Sequence, residues 1–216
     1  MRLLYGTANP AKLEHMREML DGLNIDIIGL KDVTACDIEI EEVGSSPLEN
    51  ARIKALAYYK AYRVPVFSCD SGLYIDGLED DRQPGVQVRR VNGKRLTDEE
   101  MIEYYSSLAF GLGGNAEARY KNSICLILDE QSVFEYEGED ISGERFIITS
   151  KPHEKRIPGF PLDSLSVDIK TGKYYSDLEQ DESSTGESSI EKGFRSFFTR
   201  SVPQLCESLK VKAAGK

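Results

Sequence analysis

At 216 residues the chain is long enough to bury a core without disulfide or metal staples, and 40% hydrophobic with 30% charged residues excludes a disordered chain. The 37 acids outnumber the 27 Lys and Arg for a net charge of -10, so the overall field repels duplex nucleic acid and anionic lipid. An anionic ligand would need a local cationic pocket or a divalent metal.

Met1 to Tyr5 reads as a strand that stops at Gly6. Asn9 and Pro10 then supply an N-cap and a first-turn proline for a helix carrying Leu13, Met16, Leu20 and Leu23 on one face. No small-residue cleavage site follows this start, and no stretch approaches the ~20 apolar residues of a membrane span, which predicts a cytoplasmic protein without a membrane partner. Asp26 to Leu30 reads as a second strand, Pro47 to Tyr62 as a helix, and Val64 to Ser68 as a buried strand running into the turn-like Cys69-Asp70-Ser71-Gly72. Thr97 opens a helix with a Thr-Asp-Glu-Glu cap, and the glycines from Gly111 close it. Tyr120 to Leu128, Ser132 to Glu139 and Gly143 to Thr149 predict an antiparallel meander. The acid-rich stretch Asp177 to Lys192 reads as a solvated loop, and Pro203 to Lys212 as a closing amphipathic helix. Strand and helix alternation at the front with a meander behind predicts an α/β fold.

Cys36, Cys69, Cys125 and Cys206 are far apart with no CxxC, so they predict a reducing compartment rather than a zinc or redox motif. His15 and His153 have no ligand-spaced partners, which leaves acid-base work to carboxylates. Where the first strand feeds its helix, Thr7, Asn9 and Lys12 combine polar side chains, an ammonium and a positive helix end into an anion cradle. Asp70, beyond a buried strand, could share a Mg²⁺ with Glu42 through oxygen ligands and waters. The same residues also have plain readings: Asn9 as a cap, Lys12 as a solvated side chain, Asp70 as a turn residue and Glu42 as one exposed acid of a run.

Three segments taken together resemble the inosine triphosphate pyrophosphatase family, Ham-type enzymes acting on non-standard purine nucleotides. They are Thr7-Ala8-Asn9 with Lys12, then Glu42 and Gly44 with Glu49-Asn50-Ala51 through Lys54-Ala55, then Asp70-Ser71-Gly72-Leu73. Pro84-Gly85-Val86 with Arg90, Arg119-Tyr120, Gly159-Phe160 to Asp163 and Glu191-Lys192 extend the similarity more loosely along the chain. The resemblance implies an elongated mixed β-sheet flanked by helices, two lobes with a nucleotide cleft between them, a single domain over 1–216, and a homodimer. It implies a hydrolase that uses Mg²⁺ to cut a purine nucleoside triphosphate such as ITP, dITP or XTP into monophosphate and pyrophosphate. Thr7, Asn9 and Lys12 would cradle the triphosphate, Lys54 and Arg90 would add positive charge, and Ser71 would contact the phosphates. Glu42 and Asp70 would bind the metal, Asp70 also activating the attacking water. Phe160 would stack on the base, Asp163 would read its edge, and Lys192 would reach the nucleotide.

Three departures from the family pattern bear on chemistry. Cys69 stands where the family has an acid before the Asp-Ser-Gly run, which predicts weaker metal binding because a neutral thiol is a poor Mg²⁺ ligand. Phe160-Pro161-Leu162-Asp163 lacks a glycine and an aromatic ring of the family's base-reading segment. Ser196-Phe197-Phe198 replaces a Ser-His-Arg that contacts the purine, so Phe160, Phe197 and Phe198 could stack on any base, with Arg195 or Arg200 as substitute readers. The alternative expectation for the pair is that Phe197 and Phe198 pack a helix into the core. An alternative for the whole protein is a nucleotide-binding or sensing protein that has lost turnover.

Overall fold

The computed structural model describes residues 1–34, 38–157, 159–178 and 188–202. Along the chain run β1 (Arg2–Tyr5), α1 (Pro10–Met19), β2 (Asp26–Ile28), α2 (Pro47–Tyr62), β3 (Val66–Ile75), β4 (Arg90–Val91) and β5 (Lys94–Arg95). Then follow α3 (Asp98–Gly111), β6 (Asn115–Ile127), β7 (Val133–Tyr136), β8 (Phe146–Thr149), β9 (Ser166–Asp168) and α4 (Ser189–Ser201). The fold is α/β, with a mixed seven-stranded sheet in the order β2-β1-β3-β6-β8-β9 and β7 paired to β6. β1 is parallel to β2 and β3, whereas β6 is antiparallel to β7 and β8. Among the described residues no helix is long and apolar enough to cross a membrane.

The residues gather into two compact units, Met1–Ser71 with Asn122–Ser142 and Glu187–Lys216, and Gly72–Lys121 with Gly143–Gly186. In the first unit the strands have two buried faces, as their period of two requires. Leu3, Tyr5, Phe67, Ile124 and Leu126 meet Met16 and Met19 of α1 and Phe194, Phe197 and Phe198 of α4. The intervening Leu4, Val66, Cys125 and Ile127 meet Ala51, Ala55 and Tyr58 of α2 on the other face. In the second unit Leu73, Ile75, Ala116, Ala118, Phe146 and Ile148 form one face under Met101, Ile102, Tyr105 and Ala109 of α3.

Local chemistry explains most boundaries. Asn9 caps α1 by accepting from the Ala11 and Lys12 backbone, Ser46 caps α2, and Thr97 and Glu100 form a reciprocal capping box at α3. Several expectations change. α1 stops at Met19, so Leu20 and Leu23 enter the core from the turn that Gly22 makes at φ 77° rather than from a helix face. There is no meander: β8 skips β7 and pairs with the first part of β6, while β7 pairs with its last four residues. The 13-residue β6 can serve both because its two ends lie in different units. α4 begins at Ser189, inside the stretch expected to be loop, because Ser188 caps the Glu191 backbone and Ile190, Phe194 and Phe197 face the core. The helix expected at 203–212, Cys36, Cys206 and residues 179–187 lie outside the described residues.

Candidate functional site

Asp70 does not sit in a turn. It is an interior residue of β3, which continues through Ser71 and Gly72 to Ile75, well past the point where β1 ends at Tyr5. The overhang leaves Asp70 without a β1 neighbour, and α2 covers it instead. Asn50 and Lys54, one turn apart on α2, both reach its carboxylate: Asn50 Nδ2 donates to Oδ2 at 3.2 Å and Lys54 Nζ to Oδ1 at 2.7 Å. The same Lys54 ammonium donates to Glu42 Oε2 at 3.1 Å. Asp70 and the Lys54 side chain are nearly buried, at 12% and 13% side-chain exposure, whereas Glu42 is 46% exposed. Burial alone would lower the Lys54 pKa, but the charges and hydrogen bonds of Asp70 and then Glu42 outweigh it, and the net shift is upward.

The loop that carries Glu42 is fastened to the same helix. Asn50, 3% exposed, accepts the Gly44 N–H on Oδ1 at 2.9 Å, so one amide ties the loop to Asp70. A Cβ on Gly44 would lie 2.6 Å from that Oδ1, which makes glycine the residue that allows the approach. Glu49 adds a second tie, accepting from both the backbone and the hydroxyl of Ser45, and the backbone bond is the main reason its carboxyl is held below the ordinary range.

At the carboxyl end of β1 the cradle differs from expectation. Asn9 Oδ1 already accepts the Ala11 and Lys12 N–H groups, at 2.9 and 3.4 Å, and Leu13 N donates to Asn9 O. The helix end therefore presents capped N–H groups, and the donors left for an anion are the Asn9 amide, the Thr7 hydroxyl and the exposed Lys12 ammonium. Among the described residues Lys12 has no ion-pair partner. Thr7 Oγ1 accepts from the Asn9 backbone at 3.2 Å, which holds the turn. Ser71 donates its hydroxyl proton to Asn122 Oδ1 at 2.7 Å, and Asn122 in turn donates to Ile141 O at 2.8 Å.

Cys69 faces away from the carboxylates. Strand alternation sends it to the α1 side of the sheet, where it packs on the Tyr5 and Phe67 core and hydrogen-bonds with Tyr5. Although part of the residue reaches solvent, burial pushes the thiol up to about 12. Tyr5 is raised too, first by burial and then by Cys69.

The remaining candidates are spread over both units. Lys192 lies exposed near the start of α4 in the first unit, and no bond joins its side chain to the Asp70 cluster among the described residues. Arg90, Phe160 and Asp163 belong to the second unit. Arg90 lines a cavity of about 320 Å³ with Arg82, Gln83, Gln87 and Tyr104. Phe160 is 43% exposed and precedes a 3-10 turn over Pro161–Ser164, in which Asp163 has its carboxyl raised by burial. Phe197 and Phe198 are core residues, 2% and 0% exposed, so the expectation that they could stack on a base is overturned and the packing alternative holds. Arg195 is bound to the Met19 and Asp21 carbonyls, and Arg200 lies 4.2 Å over the Tyr136 ring.

A sequence model of the Ham1 family matches residues 3–187. The chain belongs to the Ham1 family. Its relatives include a dITP/XTP pyrophosphatase of Halalkalibacterium halodurans, 31% identical over 83% of this chain and 88% of the relative. Another, from Porphyromonas gingivalis, is 30% identical over 64% of this chain and 69% of the relative. A solved HAM1 protein structure from Coxiella burnetii superposes with a TM-score of 0.71 at 26% identity, covering 93% of this chain and 99% of that one.

Within this Ham1 chain, sequence reasoning missed Asn50 and Asn122. The signal for Asn50 was available: a polar residue beside Ala51 and Ala55 on the buried stripe of a helix requires a partner. Asn122 had no comparable mark. Among the described residues no three His, Cys, Asp or Glu side chains are grouped to hold a metal ion. The pair Glu42 and Asp70 nonetheless converges on a single cation, the Lys54 ammonium, and offers the hard oxygen donors that Mg²⁺ takes alongside water and phosphate. The donor set fits that ion.

Proposed function

We propose that this chain is a Mg²⁺-dependent pyrophosphohydrolase that cuts purine nucleoside triphosphates, non-standard ones such as ITP, dITP or XTP, between the α and β phosphates. The observation that supports it best is the convergence of Glu42 and Asp70 on one cation, 3.1 and 2.7 Å away, with Asp70 on the strand next to β1, after which α1 carries Lys12 in its first turn. A protein that only bound nucleotides would have little use for a buried carboxylate braced on both oxygens. The names of the relatives and family membership agree with this reading.

Hydrolysis at phosphorus needs charge neutralisation and an aligned water rather than a covalent nucleophile. Asp70 would accept the proton of that water on a carboxylate oxygen, and Asn50 holds the carboxylate in a single orientation for the task. Lys12, with the Thr7 hydroxyl and the Asn9 amide, would bind the polyphosphate, while Lys54 and Arg90 would add positive charge and Lys192 would reach the nucleotide. Ser71 would contact phosphate after turning its proton from Asn122. Phe160 would stack on the base and Asp163 would read its edge. A divalent cation held by Glu42 and Asp70 would offset the phosphate charge as it is redistributed.

The reading takes residues 1–216 as one domain, since β3 and β6 each run through both units and neither unit is a continuous stretch of chain. It takes two copies as the working assembly. A cytoplasmic setting suits the free thiols Cys69 and Cys125. The test is a panel of nucleoside triphosphates with Mg²⁺, scored for pyrophosphate against orthophosphate. Monophosphate and pyrophosphate are expected, with loss of activity on chelation and a drop of roughly 10²-fold or more in Asp70→Asn. Diphosphate with orthophosphate as main products would refute the assignment of the cleaved bond.

A further inference from the structure

Lys54 occupies the space between the two carboxylates assigned above to the metal. Its Nζ is 2.7 Å from Asp70 Oδ1 and 3.1 Å from Glu42 Oε2, and its side chain is 13% exposed, so the ammonium is committed rather than waving in solvent. Glu42, Asp70 and Lys54 together carry one net negative charge, half of what a divalent cation would meet if the carboxylates stood alone. Mg²⁺ binds oxygen at about 2.1 Å, nearer than either Lys54 contact, and cannot share the position with the ammonium. The helix offers the lysine no other anion: its neighbours one turn away on α2 are Asn50, which serves Asp70 through its amide, and Tyr58, an electrostatic neighbour of both Lys54 and Glu42.

We propose that Lys54 is a built-in counter-cation that competes with the metal for Glu42 and Asp70. In the metal-free protein it keeps the two carboxylates together and suppresses their mutual repulsion. When a divalent cation takes the carboxylates, the ammonium lets go of at least one of them and becomes available to the anionic substrate. The charge then changes in the direction a polyphosphate needs: the pair is neutralised by the metal and one positive charge is set free. This rests on the reading of Glu42 and Asp70 as metal ligands, and it assigns Lys54 two successive partners.

The test measures divalent binding without substrate, by calorimetry with Mg²⁺ and by the spin-resonance signal of free Mn²⁺. Lys54→Met, checked for an unchanged circular dichroism spectrum, should bind the metal more tightly than the parent by about tenfold or more, since a cation at this distance opposes a second one strongly even through an effective dielectric near ~20. Asp70→Asn should bind it far more weakly. In the parent, Mg²⁺ should raise the rate at which Lys54 is acylated by an amine-directed reagent, read by peptide mass spectrometry, and that arm needs no folded variant. Unchanged or weaker binding in Lys54→Met together with a Lys54 acylation rate indifferent to Mg²⁺ would overturn the competition, and loss of binding in Asp70→Asn would still leave the metal site standing. Parent-like binding in Asp70→Asn would instead remove the metal site itself.

Discussion

Asp163 lies in the Pro161–Ser164 turn with its carboxyl raised above the ordinary carboxylate value by burial, and among the described residues no cation pairs with it. The sign of the consequence follows from linkage. A carboxyl with a raised folded pKa binds its proton more tightly folded than unfolded, so stability falls as pH rises from about 3.8 through the folded value. Asn has no charge to desolvate. Asp163→Asn is therefore expected to melt about 2 °C higher than the parent at pH 7, with the gap closing as pH falls through the carboxylate range. The same variant should lose kcat/KM on ITP if Asp163 reads the base edge. A lower melting temperature at pH 7 would show a supporting bond instead. Asp70, Glu42 and Lys54 were legible as a set from the motif, but their mutual contacts were not, because Asp-Ser-Gly is ordinary turn chemistry and it becomes strand only because β3 pairs with β6 beyond the end of β1.

α4 illustrates how a periodic pattern can be present and yet go unassigned. Phe194, Phe197, Phe198 and Ser201 face inward and Lys192, Ser196 and Arg200 outward at helical spacing, but the acid-rich approach disguised the cap at Ser188. Gly193 shows how closely the helix is seated, since a Cβ there would lie 2.2 Å from Asp140 O. Phe198 packs edge-on against Phe67 at 5.0 Å, and Phe67 stacks on Tyr5 at 4.5 Å. Phe198→Arg would bury an unpaired charge in this cluster and is expected to cost about 3 kcal/mol or more in urea unfolding, rather than to restore purine selectivity. An unchanged midpoint would mean that α4 can turn this face outward. The β4–β5 hairpin was also missed, although Asn92-Gly93 between short runs is a turn signal, with φ values of 51° and 78° as a two-residue hairpin needs.

The whole chain is discontinuous in its units: the first draws on three separate stretches and the second on two. That arrangement spreads local stability over segments far apart in the chain. On the family resemblance, and with two-fold pairing the commonest closed arrangement, the protein is expected to run as a homodimer in light scattering at micromolar concentration. A monomer mass there would contradict the expectation. By itself the sequence determined the α/β class, the limits of α2 and the caps at Asn9 and Thr97, and it named the candidate ligands. Those features rest on residues close together in the chain, where period, capping chemistry and short motifs act directly. The tertiary structure decided the rest: that β8 pairs with β6, that Cys69 and Asp70 part to opposite faces, that Phe197 and Phe198 are core, and that Lys54 spans Glu42 and Asp70. Each depends on which distant segments meet, and strand pairing and burial settle that only when the whole sheet is assembled.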